Sequence, residues 1–283
     1  MLGLILLVVG IAGFGLGGYL DLRYTEFPDW LPYSMIILAL VTRGVFSFIM
    51  NDFSILTNSI LIGLGFLGFG LLLYYGRQWG DGDAWMLGAL GFLFPDATGF
   101  APVVESVIPF SMTMFFNFFM TSLFYLIFYA VVLGLRSPKV YETFIKNLRG
   151  NVRRIGSVFF ALLTVSLLFT IYFGQLLSIP VYDFSGILSI PVLAVLILLF
   201  FQYAKAVESD LFKKKIQAKE LKVGDVLIAD RWRGLTEKEV ERMKKKGRQV
   251  WIKEGVRFAP VFIISLIVTL FYGFLGGLLF PVL

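Results

Sequence analysis

The chain has no cysteine and no histidine among its 283 residues, and only 16% of its residues are charged. The first absence removes thiol catalysis, disulfides and thiolate-bound metal. The second removes Ser-His machinery and imidazole-bound zinc, which leaves Asp and Glu as nearly the only general acids and bases an enzyme could use here. The scarcity of charge argues against a soluble globular protein, where about a quarter of residues are charged. Hydrocarbon takes its place: 58% of residues are hydrophobic, 17% are aromatic, and the mean hydropathy is +0.84.

Apolar runs reach the ~20 residues a helix needs to cross a bilayer. Phe159 to Phe173 and Leu188 to Phe201 are apolar on every face, without the alternation of a membrane-barrel strand. The expected fold is an all-α polytopic membrane protein with about eight transmembrane helices, near residues 1–20, 33–50, 54–75, 83–102, 108–135, 156–179, 186–205 and 259–281. Met1 to Leu20 lacks the basic start of a secretory signal and counts as the first span. Pro32, Pro95, Pro102, Pro109, Pro180 and Pro260 fall where the chain should enter, leave or bend a helix. Three regions follow: a helical membrane domain over 1–207, a small cytoplasmic α/β subdomain over 208–258, and a last span over 259–283.

Lysine and arginine set the orientation. One set of loops holds Arg23, Arg77, the cluster from Arg136 to Arg154 and the basic residues from Lys205 to Arg257, while the other set holds Asp52, Asp96, Glu105 and Asp183 instead. The protein should therefore be a multi-pass cell-membrane protein with both termini outside and with Asp21, Gly80 to Asp83 and the polar subdomain in the cytoplasm. The net charge of +6 then reflects attraction to membrane lipids rather than to nucleic acid. Arg43 falls inside the second span. The expectation is that this helix stops near Thr42, with Gly44 to Phe53 interfacial and Arg43 snorkelling outward.

Two stretches are expected outside the hydrocarbon. Ser137 to Asn151 reads as a basic amphipathic connector on the inner leaflet. In the subdomain the pattern predicts a helix over Asp210 to Leu221, a strand at Asp225 to Ala229, a helix from Thr236 and a strand at Gln249 to Lys253. Thr236 followed by Glu239 makes a capping box, and Lys244 to Lys246 before Gly247 closes that helix.

The residues able to carry chemistry lie in two places. Gly80-Asp81-Gly82-Asp83 puts acids and glycines where a helix begins at the cytoplasmic boundary, and Asp21 sits at the same boundary where the first helix ends. Two carboxylates brought close share a proton. One then acts as base toward water and the other as acid toward the carbonyl and leaving group, with no metal, cofactor or nucleophilic side chain. Gly80 and Gly82 are expected to permit unusual backbone angles and to let an extended substrate approach beside Asp83.

Together these stretches resemble the type IV prepilin peptidase family, membrane aspartyl proteases with a G-x-G-D motif that include the archaeal preflagellin peptidases. Asp21 followed by Phe27-Pro28 matches the first motif, Asp83 closes the second, and Lys253-Glu-Gly-Val-Arg-Phe-Ala-Pro-Val-Phe262 looks like the stretch leading into the last helix of archaeal members. The resemblance implies an aspartic endopeptidase with catalytic Asp21 and Asp83. It would remove the short basic leader from pilin or archaellin precursors at the cytoplasmic face. Glu26, Asp29 and Asp81 are candidate contacts for the basic leader. Bacterial members often have a cysteine-rich loop and also methylate the new amino terminus. This chain has neither cysteine nor a glycine-rich nucleotide site, so the archaeal pattern, protease without methylation, is expected. The hairpin over 156–205 exceeds the six helices of short archaeal members.

Two alternatives stand beside this reading. Presenilin-like intramembrane proteases share G-x-G-D, but their Tyr-Asp pair precedes it, whereas Tyr182-Asp183 follows it here in an expected outer loop. A transporter would place ionisable residues and broken helices near the midplane, where apart from Arg43 the spans are apolar.

Overall fold

The computed structural model describes residues 1–97, 108–177, 184–228, 234–253 and 255–276. Pro102, Glu105, Pro180, Tyr182, Asp183, Ala229 and Glu254, with the last residues of the expected final span, lie outside the described residues. In chain order the helices are α1 (Leu2–Tyr24), α2 (Trp30–Met50), α3 (Ser54–Tyr75), α4 (Asp81–Leu93), α5 (Phe110–Leu135), α6 (Pro138–Leu177), α7 (Phe184–Val207), α8 (Glu237–Lys246) and α9 (Pro260–Tyr272). Three short strands, β1 (Lys213–Gln217), β2 (Val226–Leu227) and β3 (Gln249–Lys253), and two short helical turns complete the described elements. Among the described residues six helices, α1, α2, α3, α5, α6 and α7, are long and apolar enough to cross a membrane. The other two expected spans, α4 and α9, are helices of 13 residues each.

The chain divides into two compact units, Met1–Phe128 with Gly255–Leu283, and Tyr129–Glu254. In the first, α4 is the innermost helix. Ala84, Met86, Leu87, Ala89, Leu90, Leu93 and Phe94 are all fully buried, which is why this helix is apolar all round rather than amphipathic. At about 1.5 Å per residue it extends roughly 20 Å, short of the ~30 Å hydrocarbon thickness. Its free carbonyls must therefore be satisfied inside protein. Ser59 Oγ donates to Phe92 O at 2.7 Å, and Arg43 Nη2 donates to Leu93 O at 3.1 Å.

That geometry overturns the expectation for Arg43. The helix does not stop at Thr42 but runs to Met50, and Leu31, Met35, Ala39, Arg43 and Ser47 recur every fourth residue on its buried stripe. Arg43 is fully buried, and its Nη1 meets Asp96 Oδ2 at 3.3 Å. It does not snorkel, because a cation at a helix C-terminus answers the partial negative charge there. The α9 helix ends in a similar way. Buried Asn117 on α5 donates to Thr269 Oγ1 at 3.1 Å and to Gly273 O at 2.5 Å, and accepts from Leu275 N–H at 2.9 Å.

In the second unit, the expected connector at 137–151 and the span after it form one helix. The 40 residues of α6 extend about 60 Å, twice the hydrocarbon thickness. Val140 packs with Ala206 and Val207 of α7, joined by Phe144 and Tyr203. The expected helix over Asp210 to Leu221 is not formed. A π-helical turn at Glu208–Phe212 leads into β1, and a 3-10 turn at Ala218–Glu220 follows it. Strand order is β1-β3-β2, all antiparallel. Lysine-rich Lys213–Gln217 is extended because Ile216 faces Val250 across the ladder and both pack on the small core of Ala218, Leu221, Leu235, Val240 and Ile252. Packing overrides helix propensity there. β3 and α8 have the expected positions, and the Thr236 and Glu239 capping box is formed.

Candidate active site

Three chain segments far apart in sequence supply one end of the first unit. α1 delivers Asp21 in its last turn, just before the chain reverses at Thr25, whose φ is 67°. α4 delivers Asp83 in its first turn, after Gly80 as N-cap. α9 begins at Pro260, with proline at its first position, where the missing N–H is not needed. α1 and α9 approach closely at Gly18, where an added Cβ would lie 3.2 Å from Pro260 Cα.

Asp21 is buried, with 5% of its surface exposed, and its Oδ2 accepts a hydrogen bond from Ala259 N–H at 2.8 Å. The donor precedes the first turn of α9, so a helix N-terminus is aimed at the carboxylate, an arrangement suited to an anion. The Arg257 guanidinium also acts on Asp21. Its own backbone is held by Tyr125, whose hydroxyl donates to Arg257 O at 2.6 Å.

Asp83 is half-buried and belongs to α4, outside the six helices long enough to cross. Burial first, and then the charge of Asp21, push its carboxyl up to about 7, against a hydrogen bond from the Gly80 backbone. The two predicted catalytic acids are therefore within electrostatic reach of one another, so they titrate as a pair that retains a proton toward neutral pH. Trp79 anchors the approach to α4, its ring lying 5.8 Å from Phe118, 5.9 Å from Phe119 and 5.4 Å from Phe258.

The glycines act differently from expectation. Gly80 has φ −74° and ψ 157°, ordinary extended backbone, and Gly82 lies within the helix. What Gly82 lacks is room, whereas Gly80 is exposed and a side chain there would meet a single neighbour. A Cβ on Gly82 would stand 2.8 Å from Phe27 Cζ, and one on Gly80 would stand 3.3 Å from Asp83 Oδ2. Phe27 belongs to the Asp21 stretch, so the two motifs touch through Gly82.

Glu26, Asp29 and Asp81 are exposed. Burial and then the charge of Asp29 raise the Asp81 carboxyl, while a hydrogen bond from Trp85 opposes them. Asp29 and Asp81 are thus within electrostatic reach of one another and of Tyr33, whose ring meets Trp85 edge-on at 4.7 Å. Such a pair suits a basic side chain. The residue that sequence reasoning missed is Ala259, which acts through its backbone. Its signal was positional, one residue before a proline that opens a helix. Among the described residues no group of acids has a metal-binding arrangement.

No family model, curated protein or solved structure matches this chain.

Proposed function

We propose that this chain is a membrane aspartyl endopeptidase of the type IV prepilin peptidase kind, cutting the basic leader from a pilin-like or archaellin-like precursor without methylating the product. The observation that carries the reading is the meeting of Asp21, Asp83 and the start of α9. The three stretches on which the sequence resemblance rests supply one carboxylate, a second carboxyl and a backbone donor to the first.

In this mechanism Asp21, ionised and held by Ala259 N–H, takes a proton from water as the water oxygen attacks the peptide carbonyl carbon. Asp83, protonated, hydrogen-bonds the carbonyl oxygen as negative charge develops there. Collapse of the tetrahedral intermediate breaks the C–N bond, and the amine leaves with a proton from the pair. Asp29 and Asp81, with Glu26 nearby in sequence, supply negative charge for the basic leader. The lysine and arginine distribution supports a cytoplasmic placement for this end of the molecule, with both termini outside.

The test uses membranes containing the full chain and a precursor with a basic leader, a glycine and a hydrophobic helix. Asp21→Asn and Asp83→Asn should each abolish cleavage at unchanged protein level. Full cleavage by either variant would overturn the dyad, and absence of cleavage by the unaltered chain across a panel of such precursors would overturn the peptidase reading. Labelling of a cysteine introduced at Glu241 by an impermeant reagent from outside the cell would reverse the orientation.

A further inference from the structure

Among the described residues, the three-stranded sheet has one covered face and one bare face. Residues directly opposite on antiparallel strands point to the same side. The register thus sends the pairs Ile216–Val250 and Leu227–Ile252 into the small core that Val240 and Met243 of α8 complete. The opposite side carries Lys213 across from Lys253, Lys215 across from Trp251, and Val226 beyond Lys253. Trp251 is 51% exposed there.

The strands themselves contribute only positive charge to this face. The three strands contain no acid. Glu208, in the turn before β1, meets Lys213 at 3.6 Å and Lys253 at 3.3 Å, so one carboxylate faces two ammonium groups. Lys215 adds a further positive charge opposite the indole. The face is also confined in space. The candidate spanning segment Ile187–Phe212 ends immediately before Lys213. An indole among lysines, on a sheet that starts where a spanning helix stops, has the composition of a membrane-interface anchor, with an amphipathic ring at headgroup level and cations against phosphates.

We propose that the bare sheet face docks on anionic phospholipid headgroups of the bilayer that α7 crosses, with Trp251 inserted and Lys213, Lys215 and Lys253 lying on the phosphates. This holds the subdomain flat on the membrane surface, and it does not depend on the peptidase reading.

Because the chain has no cysteine, Gln249→Cys places a single fluorophore on this face in the full-length protein. In nanodiscs of phosphatidylcholine with phosphatidylglycerol, headgroup-level nitroxide lipids should quench the label, whereas pure phosphatidylcholine should leave it open to aqueous iodide. A label at Lys245→Cys, exposed on α8, should remain open in both. Lys215→Gln should lower the docked-to-undocked ratio roughly fivefold, the worth of one juxtamembrane basic residue, and Lys215→Arg should preserve it. Trp251→Ala should reduce quenching without unfolding the sheet, as shown by unchanged protease resistance of the subdomain. Quenching that ignores lipid charge and Lys215→Gln, or a Gln249 label open to iodide in both nanodiscs, would overturn the proposal. Protection of that label by an oligonucleotide but not by anionic lipid would overturn it in favour of nucleic acid.

Discussion

Asp83→Asn removes a charge from a place where the fold holds it poorly, so it should make the protein more stable while abolishing the proposed leader cleavage. Burial and the neighbouring Asp21 lift the Asp83 carboxyl from an ordinary 3.8 to about 7. Between those two values the folded protein holds a proton that the unfolded chain has released, so stability falls as pH rises through this window. Below about pH 4 the cost is absent, and above about pH 7 it is complete. The gap between 3.8 and about 7, at roughly 1.4 kcal/mol per pH unit, sets an upper bound of about 4 kcal/mol. Asp83 is only half-buried, and screening by nearby water reduces the figure to about 2 kcal/mol. Asn keeps an acceptor for Gly80 N–H and carries no charge at any pH. The assay is thermal unfolding of wild type and variant in detergent at pH 4.5 and pH 8, followed by tryptophan fluorescence. The variant should gain several degrees at pH 8 and about a quarter of that at pH 4.5. Equal shifts at the two pH values, or a loss at pH 8, would refute the burial argument.

The same proton predicts a pH profile for leader cleavage: the rate should decline as pH rises through about 7 and Asp83 ionises, and a rate still climbing between pH 7 and 9 would contradict its role as acid. Gly82→Ala should cost about 1–3 kcal/mol and reduce cleavage, because its Cβ meets Phe27 at 2.8 Å, and pairing it with Phe27→Leu should restore part of both. Arg43→Met should destabilise by about 3 kcal/mol, since the Leu93 carbonyl loses a buried charged donor; a melting temperature equal to wild type would show that the α4 terminus is closed by other groups.

Much of the secondary structure was legible because its causes are local. The run Ser54–Tyr75 is a helix with the predicted ends, bounded by the polar turn at Asn51 and Asp52 and by Gly76. Thr236 and Glu239 cap α8 through a contact four residues long. The extended state of Lys213–Gln217 was not legible, because it comes from pairing with β3 some 36 residues away, and a lysine-rich segment has no strand preference of its own. The early end of α4 was marked in the sequence by Pro95, but the groups that close it were not. Its stop at Leu93 depends on Ser59 and Arg43, which come from two other helices.

By itself the sequence determined the class of molecule and the short menu of its chemistry. Apolar runs of bilayer length point to helices, and a chain without Cys or His leaves carboxylates as nearly the only acid–base groups an enzyme could use. Tertiary structure alone decided what surrounds those carboxylates. The Ala259 N–H that meets Asp21 lies 238 residues from it, and the burial that lifts Asp83 comes from the helices around α4. It also decided why Gly82 is glycine: the reason is the Phe27 ring pressed against it, not a backbone angle. Hydropathy and propensity are properties of neighbours in the chain, whereas desolvation, close approach and the aim of a helix terminus are properties of neighbours in space.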